Sequence, residues 1–215
     1  ARDAGASRIM AFGAHAIKNG LGPVMQWLVG EGWITHLATN GAGIIHDWEF
    51  AFQGESSEDV RANVAHGRFG IWKETGRFIN LALIVGAFEG LGYGESIGAL
   101  VENEGLNIAG PDELQRIIAG GAQSTDANVI TRAAAAAELR ATMLRYDIPG
   151  GWMGVPHPYK QFGLQAAAYR LGVPFTGHPM FGHDIIYTHP ISCGAAIGRT
   201  AERDFLSFAQ SVCGL

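Results

Sequence analysis

Apolar positions run along this chain in two rhythms, and the elements are read from where one gives way to the other. Residues 8–12 (RIMAF) and 34–39, with Ile34, Leu37, Ala38 and Thr39, form short apolar runs of the kind that suits buried parallel strands. Between them an amphipathic helix runs to about Val29 and is closed by Gly30 and Gly32. A strand, a helix and a second strand at that spacing predict a parallel pair with a right-handed crossover. The second strand stops at Asn40-Gly41-Ala42-Gly43, where two glycines let the backbone turn tightly before a helix over 44–52 with Ile45, Trp48 and Phe52 on one face. Ser56 or Ser57, followed by acidic residues, signals a cap for a helix reaching about Ala65, and residues 66–70 read as a loop.

Further helices are expected over 72–88, 96–103, from Pro111 to Gly121, 127–146, 161–171 and 195–212, with a third strand over 172–176. The proline-bearing stretch 152–158 reads as a mobile or ligand-covering loop, and 177–190 as a polar segment rich in histidine. These elements predict an α/β fold, a doubly wound, mostly parallel sheet with helices on both faces, in a single domain over 1–215.

Composition narrows the functional classes. Charged residues make up 16% of the 215, against about 25% in ordinary soluble domains. With 47% hydrophobic residues this predicts apolar surface buried between subunits, hence a homo-oligomer. A net charge of −5 without a Lys/Arg cluster argues against nucleic acid or an anionic membrane as partner and suits a neutral or cationic ligand. The longest apolar stretch, 81–88, is far below the roughly 18 residues of a membrane span. Cys193 and Cys213 form no C-x-x-C pair, so two free thiols in a reducing, cytoplasmic setting are the expectation.

Two strand ends, one followed by Gly13 and the other by the 40–43 segment, face the edge where open α/β sheets bind ligands. The first turn of the helix after Gly43 offers free N–H groups there, an anion site in outline, although the full G-x-G-x-x-G spacing is absent. His15 and His46 each follow a glycine and could move a proton near neutral pH. Asp47 and Glu49 lie where a carboxylate can meet ribose hydroxyls or a ligand cation, and Glu49 has a solvated helix face as its alternative. His178, His183, Asp184 and His189 read as a polar ligand loop. A metal site is the alternative, but the spacings of five and six residues, interrupted by Pro179 and Gly182, give no ligand pair on one helix face, and no metal is assigned. His46, Asp184 and His189 are the candidate catalytic groups, and Glu49, His183 and Asp184 the candidate substrate ligands.

The segments WITHLATNGAGIIHDWE, GESSEDV, HGRFGIWKETGRFIN and VPFTGHPMFGHDIIYTHP resemble the deoxyhypusine synthase-like proteins, over a span from about Arg8 to the last helix and least in 105–158. The resemblance implies an NAD-binding homotetramer that oxidises an amine such as a polyamine and transfers an aminoalkyl group. It implies that Thr39, Asn40, Gly41, Ala42 and Gly43 line NAD, that Asp47 or Glu49 reaches the nicotinamide ribose and amine, and that Asp184 holds the cationic substrate. The family's catalytic lysine lies in a C-terminal segment that Lys18, Lys73 and Lys160 do not match, so either the chain is part of a longer protein or its chemistry differs. Binding of NAD or polyamine without turnover, and metal-assisted hydrolysis by the 178–189 segment, are the alternatives.

Overall fold

A computed structural model describes residues 5–57, 59–68 and 72–215. Glu58 of the expected capping signal, and Phe69 and Gly70 of the expected loop, lie outside them. Strand β1 (Ile9–Phe12) is followed by helices α1 (Ala14–Lys18) and α2 (Gly22–Gly30), then by β2 (His36–Asn40) and α3 (Gly41–Gln53). The single helix expected over this first crossover is two, because the chain turns at Asn19 and at Gly20, whose φ is +77°. Helices α4 (Val60–Ala65), α5 (Lys73–Glu89) and α6 (Tyr93–Asn103) come next, then β3 (Gly105–Ile108), α7 (Pro111–Ala122), α8 (Ala127–Tyr146) and β4 (Gly151–Gly154). Helix α9 (Leu164–Leu171), β5 (Phe175–His178) and α10 (Gly194–Cys213) complete the order.

β1, β2 and β5 form one three-stranded sheet in the order β1-β2-β5, parallel throughout, with Ile9 opposite His36 and Leu37 opposite Phe175. The fold is thus mixed α/β around a small parallel sheet. Its strand order advances without reversal, so these strands contain no switch point of the kind that a doubly wound sheet uses to open a crevice.

The pleat sends alternate side chains to opposite faces. On one face His36 lies against α10, with Nδ1 2.8 Å from Ser211 Oγ and Nε2 2.9 Å from Thr176 Oγ1. On the other face α3 and α6 come so close that only glycine fits. A Cβ on Gly43 would overlap the Thr39 hydroxyl, and one on Gly177 would stand 2.6 Å from Tyr93 Cδ1. Under these helices α5 is the central core element, buried continuously from Ile79 to Phe88. No helix among the described residues is long and apolar enough to cross a membrane.

One pairing was not legible in the sequence pattern. β3 and β4 form an antiparallel two-stranded sheet, so Trp152, expected in a ligand-covering loop, stands in a strand. Its ring lies over Gly105, where a Cβ would come within 2.5 Å of it. The alanine run of α8 has a packing role too, since a Cβ on Gly121 of α7 would overlap that of Ala133.

Candidate functional site

The end of β2 builds the site. No turn intervenes between strand and helix: Asn40 ends the strand and caps α3, its Oδ1 accepting from Gly43 N at 2.9 Å, and Gly41 to Gly43 form the first helical turn. Neither glycine has a positive φ, so the expected tight glycine turn is absent and both are needed for space. At Gly41 the space belongs to Asp184. A Cβ on Gly41 would overlap the Asp184 carboxylate, which therefore lies against the positive end of α3. The helix N-terminus expected to receive a ligand anion already holds an anion of the protein itself.

That carboxylate is incompletely paired. Asp184 Oδ2 is buried without a hydrogen-bond partner. Burial pushes the Asp184 pKa up, opposed by the Met180 backbone N–H and by His183, whose Nδ1 stands 3.8 Å from Oδ1. A bound cation would supply the partner that Oδ2 lacks.

Two turns along α3, Glu49 is a buried carboxylate of a different kind. Its Oε2 accepts from the Ser56 hydroxyl at 2.8 Å, from Ser57 N at 3.3 Å and lies 3.2 Å from His46 Nδ1, while among the described residues Oε1 accepts only from the Thr75 hydroxyl at 3.3 Å. Oε1 thus keeps lone-pair capacity. Because the Ser56 hydroxyl donates to Glu49, its oxygen accepts from His46 Nδ1 at 2.5 Å, which places the imidazole proton on Nδ1 and leaves Nε2 as an acceptor. Ser56 and Ser57 accordingly serve Glu49 and not a helix cap; Asp59 caps α4, through Ala62 N at 2.9 Å.

Glu49, His46, Asp184 and His183 line one pocket of about 260 Å³ at this end of the sheet. Ala42, Ile45, Val60, Trp72 and Ile185 supply its apolar walls, and Lys18 of α1 stands in it as well. Two carboxylates among apolar walls and an indole could hold a cation, because each attracts an ammonium and apolar neighbours weaken the competition from water.

Other expected residues are placed elsewhere. Asp47 does not reach the pocket: its oxygens accept from Leu164 N and Gln165 N, both at 2.9 Å, and from Gln165 Nε2 at 3.1 Å, so it clamps the start of α9. Thr39 donates its hydroxyl to the Phe12 carbonyl. Gly13 caps α1 in extended backbone with open space around it, away from the residues lining the pocket. His183 is at the rim, its side chain 71% exposed. His189 packs against Gly76 of α5 and lines a neighbouring pocket that shares Trp72 with this one. His178 lies under α10, Nε2 3.0 Å from Thr176 Oγ1. Among the described residues no three His, Cys, Asp or Glu side chains converge as a metal site, because the histidines of 178–189 point to three different places.

The dinucleotide set does not assemble either. Asp47 and Asn40 are spent on helix caps, Thr39 on a strand, and the α3 N-terminus on Asp184, so these residues do not fit the cofactor that the resemblance implies.

Comparison with family models, with curated proteins and with solved structures found no match.

Trp72, Thr75 and Lys18 were missed as site residues. Lys18 ends α1, while Trp72 and Thr75 cap and begin α5, and no motif spacing links either element to Glu49.

Proposed function

We propose that this pocket binds a primary ammonium group and takes a proton from it. The observation that carries the reading is the pair of buried carboxylates, Glu49 with lone-pair capacity on Oε1 and Asp184 with an unpartnered Oδ2, that share one pocket with Trp72. A protonated amine has no lone pair with which to react. His46 Nε2, oriented through Ser56 and Glu49, is placed in the same pocket to accept its proton, and Glu49 then stabilises the imidazolium formed. The free amine is the nucleophile that an aminoalkyl transfer of deoxyhypusine synthase type requires, so the pocket supports the amine half of that activity. The residues expected to line NAD are otherwise engaged and do not fit it. Helices on both faces of the parallel sheet are a feature shared with the doubly wound architecture expected for that activity, while the reversal of strand order is absent from β1-β2-β5.

The test is calorimetric titration of the folded protein with n-butylammonium at neutral pH. Asp184→Asn keeps the shape of the side chain and removes its charge, and should weaken binding by about 1.5–3 kcal/mol, tenfold or more, the range for a hydrogen bond to a charged group. Binding should also weaken as pH falls, because Asp184, its pKa raised by burial, must ionise to hold the cation. Equal affinity in the wild type and in Asp184→Asn would refute the site.

A further inference from the structure

The pocket holds a cation of its own, which a site built for polyamines would not need. Lys18 ends α1 and lines the same pocket as Glu49 of α3 and Asp184. Its ammonium has no ion pair and no hydrogen bond among the described residues. Had its role been to neutralise the carboxylates, it would pair with one of them. Instead the two carboxylates are already organised, by Ser56, Ser57, Thr75 and His46 at Glu49 and by the α3 N-terminus at Asp184, while Lys18 offers three unused N–H donors. Ile45, Val60, Trp72 and Ile185 line the same pocket, a lining that fits methylene groups.

We propose that the ligand is zwitterionic, an ω-amino acid whose ammonium is held by Glu49 and Asp184 and whose acid group pairs with Lys18. This rests on the amine site proposed above and names its substrate class. A diamine would bring a second positive charge against Lys18, a like-charge contact that disfavours it, whereas a carboxylate there gains a charge-assisted hydrogen bond. Lys18 is thus the residue that sets specificity, and it takes no part in moving the proton.

The experiment compares three matched series of three to six carbons on the full chain by calorimetry: ω-amino acids, α,ω-diamines and n-alkylamines. On the wild type the best amino acid should bind about tenfold or more tightly than the alkylamine of equal length, the worth of one added charged hydrogen bond. Lys18→Gln, an exposed position whose change leaves the core untouched, should bring the amino acid down to the level of the alkylamine and raise the diamine. If diamines and alkylamines bind as well as amino acids, or if Lys18→Gln leaves the ratio unchanged, the zwitterionic class is overturned while the amine site stands. If no amine of any series binds, both readings fall together.

Discussion

Three carboxylates, Asp47, Asp204 and Asp184, reach a helix N-terminus from elsewhere in the chain; only Asp184 of the three lines the pocket that holds Glu49 and His46, while Asp204 borders a separate cavity of about 340 Å³. Asp47 caps α9 and Asp204 of α10 caps α6. Asp204 Oδ2 accepts from Gly94 N at 2.8 Å and from Gly177 N at 2.6 Å, which ties α6 and β5 to α10. Asp47 accepts backbone donors on both oxygens and Asp204 accepts two on Oδ2; neither is among the described side chains with a buried, unpartnered oxygen, and each joins elements distant in sequence. Asp184 uses the same device at α3 but keeps one oxygen unpartnered. A helix N-terminus therefore does not by itself mark a site here. What separates a clamp from a ligand group is whether the donors present exhaust the oxygens.

The largest effect should come from breaking a clamp. Asp47→Ala would leave Leu164 N and Gln165 N buried without an acceptor, and Gln165 Nε2 with the Ile44 carbonyl alone. At roughly 1–3 kcal/mol for each orphaned donor, a loss of about 4 kcal/mol is expected, a large part of the stability of a domain this size. Urea unfolding measures it. A loss under about 1 kcal/mol would mean that Asp47 is not a clamp and would reopen it as a ligand residue.

This contrast explains what the sequence could and could not reveal. Asp47 and Glu49 are two residues apart on a helix, about 200° around its axis, so they must point to different surroundings. Which of them faces the pocket is decided by α9, which docks on Asp47 from a position 117 residues later. No local pattern carries that information. β1 and β2 were legible as short apolar runs, whereas the third strand, expected over 172–176, lies at Phe175–His178, where Gly177 and His178 break the apolar pattern. β3 and β4 were not legible, because four-residue strands that begin and end on glycine, as β4 does, have no periodicity to read. Glu49 and Asp184 stand out in the sequence by charge and position and line one pocket in the structure, but Ser56, Ser57 and Thr75, which hold Glu49, look like ordinary capping or helix residues.

The second clamp can be weakened by pH alone. Burial pushes the Asp204 pKa up to about 7, its hydrogen bonds from Gly94 and Gly177 opposing. With an unfolded value near 3.9, the folded state binds the proton more tightly, so the stability this proton confers is present below about pH 4 and is lost as pH rises to about 7. Over that window the wild type should lose up to about 4 kcal/mol relative to Asp204→Asn, which cannot titrate. Chemical denaturation of both proteins at several pH values between 4 and 8 provides the difference. A flat difference would show that the backbone donors hold Asp204 ionised throughout. Asp204 would then be a clamp at every pH.

The smallest effect on stability, and the sharpest test of the comparison, is a pair of alanines in the first turn of α3. Gly41→Ala and Gly43→Ala both add a methyl group where there is no room, and both gain helix propensity, so each should cost about 1–2 kcal/mol after the two effects offset. Their consequences for binding differ because their neighbours differ. The methyl at Gly43 pushes on the Thr39 hydroxyl, which is bonded to Phe12 and takes no part in the pocket, so n-butylammonium should bind as in the wild type. The methyl at Gly41 displaces the Asp184 carboxylate from the helix end, and binding should fall about tenfold or more, as for loss of the charge itself. If the two alanines weaken binding equally, the effect is general loosening of α3, and Asp184 has no special standing among the three carboxylates. If Gly41→Ala alone weakens it, the unpartnered oxygen of Asp184 is the feature that turns a helix clamp into a ligand group.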